Sequence, residues 1–172
     1  MDHYFVQRFD VFVDRWGVRL LRLSLGIVFC WFGILKFFEG MSPAEDLAGR
    51  TIHTLSLGAV PAETAVPLLA AWETLMGVAL ISGVLTRVVT VAMLVHLAGT
   101  VTPLFFYPQE AFTRVPFAPT LVGQYIIKNL VLASAVLVVS VAGRRVELLR
   151  SPTKAPSVTR LQPKESQPSL EV

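Results

Sequence analysis

The chain has 172 residues, of which 53% are hydrophobic and 16% are charged, and its formal net charge is +3. A soluble domain usually carries about 25% charged residues, so this composition argues against a soluble globular protein and favours one whose surface faces lipid. The excess of basic residues does not indicate nucleic-acid binding, because these residues flank apolar runs and form no patch.

The lead of the chain, residues 1–16, predicts an amphipathic helix lying at the membrane interface. Its aromatic residues are spaced by four, three and four positions, which places them on one helical face, and they are Phe5, Phe9, Phe12 and Trp16. The alternative is a simple cytoplasmic extension of the next helix. We expect the apolar segment that follows the lead to be a membrane span and not a signal peptide, because it is too long for one, its lead is acidic and no small-residue cleavage site follows it.

Four apolar segments follow, at 18–38, 66–85, 88–107 and 120–142. Each has about 20 residues, the length that a helix needs to cross the hydrocarbon of a bilayer. Backbone groups in lipid must be hydrogen-bonded within the protein, which favours helices. The sequence therefore predicts an all-α fold, a polytopic membrane four-helix bundle over residues 17–143.

The basic residues predict the orientation of this bundle. They gather at the start of the first segment, in the turn between the second and third, and after the fourth: Arg8, Arg15, Arg19, Arg22, Arg87, Arg144, Arg145 and Arg150. The positive-inside rule then places both termini in the cytoplasm of a multi-pass protein of the bacterial inner membrane.

Two connecting regions carry further predictions. A short external helix is expected at about 43–55, with Ser42 and Glu45 forming a capping box at its start. The last part of the chain, 144–172, is rich in proline and poor in apolar residues from about 151 onward, and it is expected to be a disordered cytoplasmic tail.

Glu73 is the ionisable residue of the second segment, and we expect Lys128 of the fourth segment to neutralise it. At about 1.5 Å per residue, the two lie about 10 and 12 Å below the outer ends of their segments, at nearly the same level. Charged residues within a span usually face the bundle and pair. Gln124 and Asn129 are expected in the same cluster. This pair either locks the helices together or forms a ligand-binding or proton-relay site.

Two other polar residues have two interpretations each. Lys36 either extends to the outer interface or turns inward and shares the Glu73 carboxylate. His96 either makes a neutral hydrogen bond to a neighbouring helix or relays protons. Neither His3 nor His53 is expected to reach His96, so a bis-histidine haem within one chain is not expected.

The sequence contains no motif for a metal, a haem, a flavin or an iron–sulfur cluster. Its one cysteine, Cys30, excludes an intrachain disulfide and a C-x-x-C redox pair. We expect Cys30 to pack with Gly26 and Gly33, since the three share one helical face. The small-residue face that they form either receives another helix of the bundle or docks a partner.

Three stretches together resemble the DoxX-like family of small four-helix bacterial membrane proteins: LGIVFCWFGILKFF, WETLMGVALISGVLTR and GQYIIKNLVL. The resemblance covers about residues 18–142. It implies that Lys36, Glu73, Arg87 and Lys128 occupy the family's polar positions. It also implies an association with quinone-linked sulfur oxidation or with membrane oxidoreductase complexes, whereas many members have no defined activity.

Three hypotheses for the function follow. The first is a subunit associated with a membrane or periplasmic oxidoreductase, which binds a quinone-like ligand between helices through Lys128, Gln124 or His96, with Glu73 as the proton partner. The second is a small proton-coupled transporter, which would require an oligomer. The third is a structural or assembly subunit without catalysis, whose partner docks on the Gly26, Cys30 and Gly33 face. No catalytic residue is assigned.

Overall fold

The computed structural model describes the backbone of residues 2–84 and 86–150 and the side chains of residues 6–84 and 87–142. Four helical stretches in this part of the chain are long and apolar enough to cross a membrane. They belong to α1 (Asp2–Leu35), α3 (Ala62–Ser82), α4 (Thr86–Val101) with its continuation α5 (Pro103–Phe106), and α7 (Leu121–Arg150). The predicted all-α membrane four-helix fold is confirmed. The cytoplasmic location of the termini stays a prediction.

The outer surfaces of these helices are apolar. Leu75, Leu130 and Val131 are 67%, 73% and 70% exposed, respectively. In water such a surface would be strongly unfavourable, because each exposed apolar side chain of this size loses roughly 1.5–3 kcal/mol of transfer free energy. Lipid tails remove that cost, and the protein is therefore a multi-pass membrane protein.

The four long helices form a closed ring in which α1 packs on α3, α3 on α4, α4 on α7 and α7 on α1. We call the end that carries the start of α1 and the α3–α4 turn the terminal end, and the opposite end the loop end. The apolar core has contributions from all four helices: Leu25, Phe29, Met76, Leu80, Val89, Met93, Leu97, Val136 and Val139.

Helices α1 and α3 run antiparallel and approach each other through glycines. A methyl group added at Gly33 would come within 2.6 Å of the Thr74 backbone nitrogen. One added at Gly26 would come within 2.9 Å of the Gly77 carbonyl oxygen. The small-residue face of α1 is thus filled by α3 of the same chain, so it is not the predicted docking surface for a partner.

Helix α1 ends partway along α3. Its last residue, Leu35, lies near the level at which Gly33 meets Thr74, whereas α3 continues to Ala62 toward the loop end. Helix α2 (Glu45–Leu55) covers this remaining stretch of α3, with Gly49 facing Ala62. A helix is therefore present at the predicted position of about 43–55, and its location on the external side stays a prediction.

The start of α2 differs from the predicted capping box. Its N-cap is Ala44, and no side chain caps the helix. The Glu45 carboxylate instead accepts a hydrogen bond of 3.1 Å from the Gly40 backbone nitrogen. The carboxylate therefore stabilises the preceding turn, and Ser42 contributes through its backbone carbonyl, which accepts from the Glu45 backbone nitrogen at 3.2 Å.

Two predicted boundaries at the ends of the chain also differ. No break separates the lead, 1–16, from the first span, since α1 is one helix of 34 residues. Its apolar and helix-compatible residues run without a proline or a glycine pair that would end it. At the other end, α7 continues to Arg150, so the tail does not begin at residue 144. The prediction of disorder for 151–172 lies outside the described residues.

The connection between α4 and α7 forms a compact cover at the loop end. It contains α5, α6 (Pro108–Ala111) and a short antiparallel hairpin of β1 (Phe112–Arg114) and β2 (Ala118–Pro119). Thr120 ties this cover to α7, because its hydroxyl donates to the Glu110 carbonyl at 2.6 Å.

We predict that Gly77→Ala destabilises the bundle by about 1–3 kcal/mol, the usual cost of overpacking. The added methyl would collide with the Cys30 backbone of α1. Thermal unfolding in detergent, followed by circular dichroism, measures this loss. Gly99→Ala in α4 is the matched control, since a methyl there meets nothing within 4 Å. Equal stability of the two variants would contradict the close α1–α3 approach.

Candidate functional site

The buried carboxylate of Glu73 forms the centre of a polar cluster inside the bundle. Glu73 lies midway along α3 and is only 7% exposed. Its Oε2 accepts a hydrogen bond of 2.6 Å from the Lys36 ammonium. Its Oε1 lies 3.4 Å from Nε2 of His96. We call Lys36, Glu73 and His96 the Glu73 cluster. It joins α1, α3 and α4 at one point.

Lys36 reaches this point because α1 ends one residue before it. The close glycine contacts set the register of α1 on α3, and Leu35 therefore ends near Glu73. The ammonium also donates to the Phe32 carbonyl at 3.3 Å, one of the last carbonyls of the helix. A cation at a helix C-terminus is favoured by the helix dipole. Lys36 thus turns inward, as in the second of its two interpretations.

His96 completes the cluster from α4. Its ring packs edge-on against Phe29, with the ring centroids 5.8 Å apart. Its side chain is 8% exposed, as buried as that of Glu73. The contact with Glu73 is at the long limit of a hydrogen bond, so a small movement of either side chain makes or breaks it.

The cluster combines one acid with two basic groups in an apolar surrounding. Lys36 supplies the positive charge that a carboxylate in hydrocarbon requires. Histidine is the side chain whose ordinary pKa lies closest to neutral pH. The pair of Glu73 and His96 therefore contains the groups that a proton-exchange site needs. Lys36 and Glu73 instead form an ion pair that holds α1 against α3.

The predicted pair of Glu73 with Lys128 is wrong. Lys128 is exposed on the outer face of α7, and its ammonium lies 5.2 Å from the centroid of the Tyr125 ring. Ile126, two residues earlier, is buried, and a separation of two residues turns a helix by about 200°. Lys128 therefore points away from the bundle. Gln124, one turn earlier, is also exposed.

Asn129 does face the bundle, but it bonds a different partner. Its side-chain amide donates to the Thr100 hydroxyl at 2.8 Å, and that hydroxyl donates to the Leu97 carbonyl at 2.7 Å. Thr100 lies one turn of α4 from His96. This contact joins α4 to α7, next to the Glu73 cluster in the same part of the bundle.

Comparison with known protein families gives a match to part of the chain. The DoxX family matches the chain over residues 17–108, more than half of its length. The protein belongs to the DoxX family. The match includes Lys36, Glu73 and His96, and it ends before α7, where Gln124, Lys128 and Asn129 lie. No curated protein and no solved structure matches the chain.

A second polar group lies at the loop end of this DoxX-family protein. Arg50 of α2 donates two parallel hydrogen bonds to the carboxylate of Glu110 in α6, at 2.9 and 2.8 Å. The guanidinium also lies 5.1 Å from the centroid of the Tyr107 ring. We call Arg50, Glu110 and Tyr107 the loop-end clasp. The sequence shows opposite charges in these two loops, but it does not indicate that they pair.

The loop-end clasp borders a cavity of about 340 Å³ lined by Arg50, His53, Thr54, Pro61, Ala62 and Tyr107. The Thr54 and Tyr107 hydroxyls lie 3.0 Å apart at its wall. Among the described residues, no group of three histidine, cysteine, aspartate or glutamate side chains is placed to hold a metal ion.

We predict that Glu73→Gln and Lys36→Met each lower the free energy of unfolding by about 3–5 kcal/mol, because each leaves a buried charge without its partner. The double variant Lys36→Met/Glu73→Gln should recover most of this loss. Lys128→Met is the matched control and should cost less than about 1 kcal/mol, the size of an exposed cation–π contact. A Lys128→Met loss as large as that of Lys36→Met would contradict the observed pairing.

We predict that the loop-end clasp weakens in acid. The hydrogen bonds from Arg50 lower the pKa of Glu110 below its ordinary value, and those to Glu110 raise the pKa of Arg50. Because the pKa of Glu110 is lowered on folding, the contact stabilises the fold at neutral pH and is lost as the pH falls through that pKa. Its side chains are nearly half exposed, so the contribution is at most about 1 kcal/mol.

Amide hydrogen exchange of α2 at decreasing pH measures this weakening, after correction for the intrinsic exchange rate. The variant Glu110→Gln should show faster exchange at neutral pH and no further acid-dependent increase. An acid response of the variant equal to that of the wild-type protein would contradict the assignment to Glu110.

Proposed function

We propose that this DoxX-family protein is a membrane subunit associated with a quinone-linked oxidoreductase, and that Glu73 and His96 exchange a proton with a lipophilic quinone-like ligand. The observation that supports this most is the position of a titratable histidine beside a carboxylate that a lysine already neutralises. An ionisable group within a span is by default a candidate for proton or ligand chemistry. An ion pair that only holds the helices together requires Glu73 and Lys36, but not His96.

The ligand would approach from the lipid beside the end of α1. Lys36 is the most exposed member of the cluster, at 11%, and the chain beyond it forms turns instead of a continuing helix. A partner oxidoreductase would supply two electrons to the quinone, and two protons would complete the quinol. In this proposal the protonated member of the Glu73–His96 pair gives one of these protons to a quinone carbonyl oxygen.

Binding of decylubiquinone to the protein in phosphatidylcholine nanodiscs tests the proposal. The readout is quenching of tryptophan fluorescence, since Trp72 adjoins Glu73 and is 45% exposed to lipid. We expect saturable binding by the wild-type protein. We expect an affinity at least about tenfold lower for His96→Gln, the usual effect of losing one hydrogen bond that involves a charged group.

The variants separate a ligand site from a fold defect. Lys36→Met/Glu73→Gln keeps the cluster neutral and should fold but bind the quinone weakly, and Lys128→Met should bind it as the wild-type protein does. Absence of saturable binding by the wild-type protein would refute the proposal. Unchanged binding by both cluster variants would place any quinone site elsewhere.

The second candidate is a structural or assembly subunit, and the burial of the Glu73 cluster favours it. All three side chains are at most 11% exposed, and Lys36 and His96 both contact Glu73. Cavities at the loop end and near the start of α1 include no member of the cluster in their lining. For this candidate, Lys36→Met/Glu73→Gln should fold stably and show no specific loss of quinone binding or of proton uptake.

A further inference from the structure

The N-terminal part of α1 extends beyond the α3–α4 turn at the terminal end. The Arg22 guanidinium lies against Gly83, which ends α3. At about 1.5 Å per residue, Arg19 and Trp16 therefore lie about 5 and 9 Å beyond the end of α3. The polar headgroup layer on each side of a bilayer is about 5–8 Å thick. Arg19 falls at the depth of the lipid headgroups, and Trp16 lies at the outer edge of that layer.

Two side-chain stripes run next to each other along this part of α1. The aromatic stripe includes Phe9, Phe12 and Trp16, which are 57%, 51% and 41% exposed. The arginines at positions 8, 15, 19 and 22 are spaced by seven, four and three residues, so they share the neighbouring face. The two stripes touch where the Arg19 guanidinium lies 5.4 Å from the centroid of the Trp16 ring.

A groove of about 380 Å³ borders both stripes from Trp16 toward the N-terminus, and it is lined by Gln7, Arg8, Val11, Phe12, Arg15 and Trp16. One wall offers guanidinium groups, which bind phosphate through paired hydrogen bonds. The other wall is aromatic and apolar, and it continues into the lipid-facing surface of the span. A ligand that matches both walls carries a phosphate directly beside acyl chains.

We propose that Arg15, Trp16 and Arg19 bind the headgroup of an anionic phospholipid in the leaflet at the terminal end. The arginines contact the phosphate, and the exposed ring of Trp16 packs beside it. A second copy of this chain fits less well, because pairing the same face would bring two arginine stripes together. A soluble phosphate would leave the aromatic wall uncovered.

Native mass spectrometry of the full-length, delipidated protein in detergent tests this site, with phosphatidylglycerol as the probe. We expect discrete binding of phosphatidylglycerol to the wild-type protein. Arg19→Gln should weaken it about fivefold and Arg15→Gln/Arg19→Gln about thirtyfold, from the usual contribution of one basic residue at an anionic membrane surface. Circular dichroism checks that each variant retains its helix content.

Three controls make the result specific. Arg114→Gln removes one positive charge from the exposed hairpin at the loop end and should not change the affinity. Phosphatidylcholine should bind more weakly than phosphatidylglycerol, and inorganic phosphate at millimolar concentration should not displace the lipid. Equal affinity for the two lipids, displacement by phosphate, or wild-type affinity of Arg15→Gln/Arg19→Gln would each overturn the proposal.

Discussion

A carboxylate in the middle of a membrane span requires a cation close by, because hydrocarbon provides no solvation for its charge. In this protein the cation reaches Glu73 through helix packing. Gly33 allows α1 to approach Thr74 and Glu73 of α3 so closely that an added methyl would not fit. That approach sets the register of the two helices, so that the end of α1 lies where Lys36 contacts Glu73. The positions of α2, of His96 and of the turns after α1 all depend on this junction.

The polar contacts within the bundle connect successive helices of the ring. The Glu73 cluster joins α1, α3 and α4, and the hydrogen bond of Asn129 to Thr100 joins α4 to α7. Apolar side chains fill the rest of the core, with Met93 fully buried. Apolar side chains pack against lipid nearly as well as against each other, so polar contacts give a membrane bundle much of its specificity. The Glu73 cluster and the contact of Asn129 with Thr100 thus help to fix which faces of the four helices meet.

The fold could be predicted from the sequence because lipid imposes strict lengths and a strict apolar composition on the spans. Glu73, Lys36 and His96 could also be identified from the sequence as candidate site residues, since ionisable residues are rare in such segments. The partner of Glu73 could not be predicted from depth alone. Depth along a helix does not tell which way a side chain points, and Lys128 lies at a suitable depth on the wrong face.

Helix boundaries were the other source of error. The predicted first span ended at residue 38, which placed Lys36 near the outer interface, whereas α1 ends at Leu35 beside Glu73. The predicted second span began at 66, whereas α3 begins at Ala62. After Leu35 the chain continues in turns with hydrogen bonds between residues three apart, such as that from the Phe38 nitrogen to the Leu35 carbonyl, and α3 begins directly after its N-cap, Pro61. The loop-end clasp could not be predicted either, because Arg50 and Glu110 are 60 residues apart in the sequence.

The loop-end clasp and the Glu73 cluster differ in their contact with water, and therefore in their response to ionic strength. The side chains of Arg50 and Glu110 are 46% and 45% exposed, so dissolved ions screen their attraction over a Debye length of about 8 Å at physiological salt. The pair of Lys36 and Glu73 is shielded from those ions by the surrounding helices. Changes in the salt concentration of the aqueous phase thus alter the contact between α2 and α6 and leave the junction of α1, α3 and α4 unaffected.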